Sequence, residues 1–321
     1  MADPLIVLVS PHVTPDGRQR ISAIGWANGR PTEVRTYTDS AGFLAQLPRA
    51  EVVLGEIRAG EIPSARRLRW VHVWSSGVNR LPLGELKQAG ITVSNARGQH
   101  ADAVADHAFA LLLALYRHIP AFVRQREQRL WEPIVATELS GQRMGILGYG
   151  AIGRAIAVRA RAFGQDVWAA RGHPGADPLV SRMFGPERPA LRELLAGCDD
   201  IVCVLPSTAD TRGLLDRGML GAIRPGARLV NVGRGDLISE ADLDTALRQG
   251  HLAGAACDVL PREPLPEDSP LWTTPNLLLT PHMAGMQPHY YQRGLEIFLG
   301  NLRRYCLSEP LENVVDLDAG Y

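Results

Sequence analysis

Apolar runs alternate with amphipathic stretches along the whole chain. In the N-terminal part, five short apolar runs predict buried strands, over residues 5–9, 34–37, 52–54, 69–74 and 91–93. The stretches between these runs have the mixed polar and apolar character of helices. This alternation is typical of a small open α/β layer structure.

A second alternating region begins near Gly141. Six strands are predicted there, over residues 144–147, 166–169, 201–205, 228–232, 253–259 and 277–280. Six strands with helices between them match the strand count of a doubly wound sheet. A last helix, over residues 290–305, is expected to return to the first domain, because the second sheet is already complete. We therefore predict one domain from residues 1–98 and 284–321, and another from residues 99–283.

The segment that joins the two regions is unusual. A long helix rich in Ala and Leu is predicted over residues 100–118, followed by an arginine-rich stretch and Trp131. Residues 120–138 therefore form an excursion from the globule, either as a solvated helix or as an oligomer arm.

Composition excludes several classes of function. The formal net charge of the 321 residues is zero, which argues against nucleic acid as a partner. No long apolar span and no basic-plus-apolar leader occurs, so we expect no membrane segment and a cytoplasmic protein. The cysteines lack metal-ligand spacing, so we expect no metal site and reduced core thiols at Cys198, Cys203, Cys257 and Cys306. Lys87 is the one lysine and a poor candidate for a catalytic residue, which argues against Schiff-base chemistry.

A glycine-rich turn follows the first strand of the second region and opens a helix. Its residues are Gly148, Tyr149, Gly150, Ala151, Ile152 and Gly153. The three glycines allow a tight turn, a close backbone approach to a pyrophosphate, and packing of helix on strand. The free N–H groups and the dipole at the helix N-terminus favour the anion. This order of strand, turn and helix predicts a dinucleotide site.

The next strand ends at Arg171. An NAD-preferring site usually has an acid there, to hold the ribose 2′-hydroxyl group, whereas arginine offers charge and a planar fork to a 2′-phosphate. His173, close behind, supports a phosphate site. We therefore expect NADP(H) to be preferred, with NAD(H) as the alternative. A solvated strand end is the other interpretation of Arg171.

Three polar residues follow three predicted strands of the second region: Arg234, Glu263 and His282. Ligands of open α/β sheets bind beyond the carboxyl ends of the strands, so these side chains are expected to converge there. A histidine can donate a proton near neutral pH, a neighbouring carboxylate keeps it charged and oriented, and an arginine polarises a carbonyl and clamps a carboxylate. Together they suit reduction of a 2-oxo acid. Taken singly, Arg234 or Glu263 would be interpreted as part of an ion pair in a loop, and His282 as the cap of a strand.

These motifs resemble the D-isomer-specific 2-hydroxyacid dehydrogenase family, over nearly the whole chain and most clearly from about Trp70 onward. The resemblance rests on the glycine turn, residues 229–236, residues 258–272 and the run Thr-Pro-His-Met-Ala-Gly at 280–285. It implies an α/β fold of two lobes with the active site between them: a flavodoxin-like substrate domain and a Rossmann-type nucleotide-binding domain. It also implies an enzyme that acts on small 2-oxo or 2-hydroxy acids such as glyoxylate and hydroxypyruvate, larger aliphatic or aryl acids being alternatives, and it suggests a homodimer.

The resemblance also implies roles for individual residues. Arg234 would bind and polarise substrate, His282 would be the acid/base, and Glu263 its partner. The substrate carboxylate would bind backbone N–H groups of the loop formed by Ser75, Ser76, Gly77 and Val78; a plain turn is the alternative. Further cofactor contacts are implied at Leu205, Pro206, Thr208, Val232, Asp258 and Gly285, whereas Asp106 and His107 are expected to be structural. Trp74, Ser75 and Tyr290 either line the substrate pocket or simply pack.

Two departures and two rivals stay open at this stage. Arg171 replaces the acid of NAD-preferring members. Glu56 lies where a carboxylate would repel an anionic substrate, so it either turns to solvent or selects an unusual substrate group. One rival is a cofactor-sensing binding protein with the same fold. The other is an amino-acid or 3-hydroxyacid dehydrogenase, for which Lys87 is badly placed.

Overall fold

The computed structural model describes residues 3–78 and 80–320. They divide into two compact units. The first comprises the described residues up to Gln99 and from Gln287 onward, and the second comprises His100–Met286. Among the described residues, no helix combines the length and apolar character that crossing a membrane requires.

Strands and helices alternate in both units. The elements of the N-terminal half are β1 Leu5–Val9, α1 Pro15–Ala27, β2 Thr32–Thr36, α2 Ser40–Gln46, β3 Val52–Leu54, β4 Trp70–Val73, α3 Leu83–Gln88, β5 Thr92–Asn95, α4 Ala101–Tyr116 and α5 Ile119–Glu127. The elements that follow are β6 Arg143–Leu147, α6 Ala151–Ala162, β7 Asp166–Ala170, β8 Arg182–Phe184, α7 Arg188–Gly197, β9 Asp200–Cys203, α8 Arg217–Leu220, β10 Arg228–Asn231, α9 Glu240–Arg248, β11 Gly254–Cys257, β12 Leu277–Leu279 and α10 Tyr290–Cys306.

The first unit is built on a parallel sheet in the order β2-β1-β3-β4-β5. This is the flavodoxin-like order. Both faces are covered, because alternate residues of β1 enter different cores: Val7 packs with α1 and α10, and Leu8 packs with α2 and α3. Burial on both faces explains why β1 is apolar throughout, which made it easy to predict from sequence.

The second unit has a parallel sheet in the order β8-β7-β6-β9-β10-β11-β12. Numbered within the unit, this is 3-2-1-4-5-6 with a seventh strand at the far edge, so the α/β fold class predicted from sequence is confirmed. The predicted count of six strands is wrong by one, since β8 was missed. It is a three-residue edge strand in which only Phe184 is buried, too short to give an apolar pattern.

Candidate functional site

His282 lies in the loop after β12, at the carboxyl edge of the second sheet. Its φ of 52° is in the left-handed region, which is uncommon for a residue other than glycine. The His282 N–H donates to the carbonyl oxygens of Asp258 at 2.8 Å and Thr280 at 3.0 Å, which holds this conformation. Such a backbone, over-determined by its neighbours, is typical of functional loops.

The side chains of His282 and Glu263 form a direct pair. Nδ1 of His282 lies 2.7 Å from Oε2 of Glu263, and the side chains are 54% and 38% exposed. The other carboxylate oxygen, Oε1, accepts the Leu260 N–H at 2.9 Å, so Glu263 is itself anchored. A carboxylate at Nδ1 requires a proton on that nitrogen, which leaves Nε2 as the nitrogen able to exchange a proton with a ligand.

A buried carboxylate, Asp258, organises the loop that carries His282. Its Oδ1 accepts the Thr280 hydroxyl at 2.5 Å and the Met283 N–H at 2.9 Å, and its Oδ2 accepts the Ala284 N–H at 2.9 Å. Asp258 is 2% exposed. Its place in the structure is thus within the His282 loop, and the predicted contact to a cofactor amide stays a prediction.

His107 supports the same loop from α4. The Thr280 hydroxyl already donates to Asp258, so His107 Nε2, at 3.0 Å from Thr280 Oγ1, must be the donor of their hydrogen bond. Nε2 also lies 3.4 Å from Asp258 Oδ1. Sequence analysis expected His107 to be structural but gave no contact for it. Its partner is 173 residues away in the chain, a distance that no local pattern covers.

Arg234 lies between two glycines that bring the backbone of three loops together. A β-carbon added at Gly233 would lie 2.9 Å from the Leu205 carbonyl oxygen, and one at Gly235 would overlap the backbone of Leu260. Asn231, almost fully buried, shapes the turn: its Nδ2 donates to the Arg234 carbonyl at 2.9 Å, and its Oδ1 accepts the Gly233 N–H at 3.1 Å. Sequence analysis did not single out Asn231.

The guanidinium group of Arg234 is partly withdrawn from solvent. Nη1 donates to the Gly233 carbonyl at 2.7 Å. Burial lowers the pKa of Arg234 from its usual value, and the charges of Asp236 and Glu263 act against this shift. The structure brings Glu263 and His282 into contact, and it places Arg234 within the electrostatic reach of Glu263 without a direct hydrogen bond.

The glycine turn between β6 and α6 has the shape that a dinucleotide site needs. Gly148 has a φ of 103°, and a β-carbon there would lie 3.0 Å from the backbone of Val204 and Leu205. A β-carbon at Gly150, which is the N-cap of α6, would meet nothing within 4 Å. Backbone N–H groups at the start of this 12-residue helix are thus open to close approach, which fits a pyrophosphate.

The loop after β9 lies beside this turn. Ser207 Oγ donates to Asp236 Oδ2 at 2.5 Å, which ties the loop to the Arg234 segment. Thr211 Oγ1 donates to the Pro206 carbonyl at 2.6 Å and accepts the Thr208 N–H at 2.8 Å. The predicted cofactor residues Leu205, Pro206 and Thr208 therefore share one edge of the sheet with Gly148 and Arg234.

Arg171 is exposed at the end of β7, and its Nε donates to the His173 carbonyl at 2.5 Å. A carboxylate near Tyr149 and Arg154, that of Asp177, was not predicted from the sequence. Asp177 Oδ2 accepts Arg154 Nε at 3.1 Å, and burial together with the Asp177 charge raises the pKa of Tyr149 to about 12. The predicted phosphate site thus contains two arginines and one acid.

In the first unit, the Ser75–Val78 loop follows β4. Ser75 Oγ donates to the Gly77 carbonyl at 2.6 Å, and Asn95 Nδ2 donates to the Ser76 carbonyl at 2.8 Å. Among the described residues, the N–H groups of Ser76, Gly77 and Val78 donate to no other group. Backbone donors held in this way are suited to a carboxylate, and the predicted substrate-carboxylate site in this loop stays a prediction.

Glu56 follows β3 at the same edge of the first sheet and is exposed. Burial raises the pKa values of Tyr37 and Tyr290, and the Glu56 charge adds to both shifts, so Glu56 lies within electrostatic reach of these phenol groups. Trp74 is buried and Tyr290 half-buried in this unit. Whether Glu56 contacts a substrate stays a prediction.

The four cysteines are free thiols. Cys198, Cys203 and Cys257 are buried thiols, and Cys306 is half-buried. Within residues 3–78 and 80–320, no group of three or more His, Cys, Asp or Glu side chains could hold a metal ion.

Comparison with known proteins shows which family the chain belongs to. Residues 109–284 match the model of the NAD-binding domain of D-isomer-specific 2-hydroxyacid dehydrogenases. The chain belongs to this family. The resemblance drawn from the sequence motifs is therefore confirmed.

Two relatives illustrate the spread within the family. The chain is 35% identical over 256 residues to a glyoxylate reductase from Pyrococcus furiosus, covering 77% of this chain and 75% of that protein. It is 32% identical over 300 residues to a D-3-phosphoglycerate dehydrogenase from Archaeoglobus fulgidus, covering 90% of this chain. It spans only 56% of the length of that relative.

Solved structures agree over the whole chain. A D-isomer-specific 2-hydroxyacid dehydrogenase from Xanthobacter autotrophicus, in complex with NADPH and MES, has a TM-score of 0.84 at 30% identity, with 100% of both chains covered. A family protein from Aeromonas salmonicida has a TM-score of 0.81 at 30% identity, covering 99% of this chain and 100% of the other.

Proposed function

We propose that this protein is a D-2-hydroxyacid dehydrogenase that acts mainly as a 2-oxo acid reductase. The observation that carries the proposal is the Glu263–His282 pair, with 2.7 Å between Oε2 and Nδ1, on a loop held in an uncommon conformation. Membership of the family supports it. A structural ion pair alone would not need the left-handed backbone at His282.

The reduction needs a hydride at C2 and a proton on the carbonyl oxygen. A bound nicotinamide cofactor supplies the hydride. His282 Nε2 supplies the proton, and Glu263 stabilises the charged imidazole ring and fixes its orientation. Arg234 polarises the carbonyl and pairs with the substrate carboxylate, which the backbone N–H groups of the Ser75–Val78 loop also bind.

The proposed substrates are 2-oxo acids, either small ones such as glyoxylate and hydroxypyruvate or larger aliphatic or aryl acids. The 35% identity to a glyoxylate reductase supports a 2-oxo acid as the substrate. The chain spans only 56% of the length of the phosphoglycerate dehydrogenase relative, which therefore gives weaker support for its own substrate.

NADP(H) is the proposed preferred cofactor, bound through the glycine turn, Arg171 and the loop after β9. The NADPH-bound relative of 30% identity supports the choice. Asp177 acts against it, because its charge lies beside Arg154 and Tyr149. The attraction of Arg171 for the 2′-phosphate is therefore opposed by the charge of one carboxylate, so we expect a preference for NADP(H) and not exclusive use of it.

A homodimer is part of the proposal. Residues 120–138 contain α5 and then a stretch without regular structure, in which Trp131 is 99% and Val135 96% exposed. Exposure of large apolar side chains to solvent is unfavourable in free energy. We therefore propose that a second copy of the chain buries them in a dimer interface. The molar mass measured by light scattering tests this directly.

The function is tested by steady-state reduction of a panel of 2-oxo acids with NADPH and NADH side by side. Turnover with at least tenfold preference for NADPH supports both the reaction and the role of Arg171. Turnover with NADH preferred keeps the reaction and refutes the cofactor assignment. Tight cofactor binding without turnover of any acid refutes the enzyme and favours a cofactor-sensing protein.

A further inference from the structure

The first unit contains a cavity of about 220 Å³ between the start of α1 and the side of α10. Its walls are formed by His12, Val13, Trp74, Tyr291 and Leu295. Val13, Trp74 and Leu295 are buried, so they form an apolar floor. No catalytic step described above uses this cavity.

The aromatic walls of the cavity are arranged by ring contacts. The His12 and Tyr291 rings stack with centroids 4.0 Å apart and an interplanar angle of 13°. Trp74 meets Tyr291 edge-on, with centroids 5.3 Å apart and an angle of 90°. The three rings therefore form one preassembled aromatic cluster that lines the cavity, and another planar ring is a suitable guest for it, since aromatic pairs prefer stacked or edge-to-face arrangements.

Trp74 is held rigidly. Its Nε1 donates to Ser10 Oγ at 2.9 Å, and its carbonyl accepts from the Gln99 side chain. A β-carbon added at Gly294 of α10 would lie 2.9 Å from the Trp74 ring, so the helix backbone packs directly on the indole. A preformed wall of this kind costs little conformational entropy on binding.

The charged residues that line the cavity disfavour an anionic guest. Arg20 is neutralised by Glu296 through two hydrogen bonds of 2.7 Å each. Asp16 also lines the cavity and leaves a negative charge, which repels an anionic group. The part of a ligand that enters this pocket therefore carries no negative charge.

The volume fits one ring. A protein cavity of about 150 Å³ accommodates benzene, and pockets for whole drug-sized ligands start at about 300 Å³. The cavity of about 220 Å³ lies between these values. It therefore suits a phenyl or similar group rather than a methyl group or a complete bulky ligand.

We propose that this pocket binds an uncharged aryl group at C3 of the 2-oxo acid, so that arylpyruvates are the preferred substrate class. The inference rests on the proposed function. Trp74 is a wall of the pocket and directly precedes Ser75, where the proposed carboxylate loop begins, so ring and carboxylate are recognised by adjacent residues. The small acids glyoxylate and hydroxypyruvate, which carry no ring, leave the pocket unused.

The test compares kcat/KM for phenylpyruvate and glyoxylate with the intact protein and its better cofactor. We expect a ratio of at least ten in favour of phenylpyruvate. In Tyr291→Ala this ratio falls at least tenfold. The ratio also falls in His12→Ala. Trp26→Ala is the matched control, because Trp26 is an aromatic residue on α1 that is 63% exposed and outside the cavity; it leaves the ratio as it is.

A second readout does not depend on turnover. The dissociation constants of 3-phenylpropionate and propionate are measured by calorimetry for the same variants. The pocket predicts tighter binding of 3-phenylpropionate, lost in Tyr291→Ala and retained in Trp26→Ala. Binding of the two acids with equal affinity would overturn the assignment of the pocket.

The failures of the two proposals are distinguishable. Turnover of glyoxylate without any advantage of phenylpyruvate refutes the aryl pocket and leaves the reductase intact. Selective binding of 3-phenylpropionate with no turnover of any acid refutes the reductase and leaves the pocket as a binding site. An aryl preference that Tyr291→Ala does not reduce also refutes the pocket.

Discussion

At the residue scale, the proposed chemistry depends on how the neighbouring residues hold the ring and the backbone of His282. Glu263 fixes Nδ1, and Asp258 fixes the backbone that carries the ring. From the sequence, Glu263 and His282 could be placed near one sheet edge, because each follows a predicted parallel strand. It could not predict the positive φ of His282, which arises from hydrogen bonds to Asp258 and Thr280.

Removing the charge of Glu263 should lower the rate of reduction. In Glu263→Gln we expect kcat for reduction to fall about 10–100-fold, because general acid catalysis contributes roughly 10²–10⁴-fold and the imidazole ring stays in place. A kcat equal to that of the unaltered protein, measured by steady-state kinetics, would contradict the pairing.

Arg171 should decide cofactor preference. In Arg171→Ala the ratio of NADPH to NADH affinity should fall about tenfold, as a charge-assisted hydrogen bond of roughly 1.5–3 kcal/mol to a phosphate is lost. Fluorescence titration of both cofactors measures it. The control is Arg217→Ala, an exposed arginine on α8. An unchanged ratio would mean that Arg171 is a solvated strand end.

At the element scale, the site is assembled by loops that follow β9, β10, β11 and β12. The carboxyl ends of these strands were predictable from buried apolar runs in a parallel sheet. The backbone contacts between the loops were not, because a contact such as Gly235 with Leu260 has no local sequence signal. β8 was missed for a related reason: it is an edge strand recognised only by its pairing with β7.

The contact at Gly235 gives a prediction for the loops. A methyl group in Gly235→Ala overlaps the backbone of Leu260, so the Arg234 and Glu263 loops must move apart. We expect a loss of about 1–3 kcal/mol in the free energy of unfolding, the usual cost of overpacking, and a large loss of kcat/KM. Gly300→Ala is the control, since a β-carbon on that part of α10 meets nothing within 4 Å. Equal denaturation midpoints for both variants would contradict the contact.

At the scale of the whole molecule, one buried acid should make stability depend on pH. Asp200 lies in the core of the second unit, where it accepts the Tyr116 hydroxyl at 3.0 Å and Gln165 Nε2 at 2.7 Å. Burial raises the pKa of Asp200 to about 7. Asp200 directly precedes a strand predicted from the sequence. Its two hydrogen-bond partners could not be predicted, because they lie 84 and 35 residues away in the chain.

The direction of the effect follows from this raised pKa. The folded protein holds a proton on Asp200 that the unfolded chain releases near pH 4, so the contribution of Asp200 to stability is complete below that pH and declines as the pH rises to about 7. The full decline is about 4 kcal/mol at most. Asp200→Asn should flatten the free energy of unfolding between pH 5 and pH 8, measured by urea denaturation. A slope equal to that of the unaltered protein would contradict the assignment.

The central claim is that His282 supplies the proton, and one variant tests it most directly. His282→Asn should lower kcat for 2-oxo acid reduction by at least about 100-fold, while the dissociation constant of NADPH changes less than about threefold. Single-turnover reduction and cofactor titration on the same preparation give both numbers. If the variant keeps more than a tenth of the original kcat, His282 is not the proton donor and the account of this site is wrong.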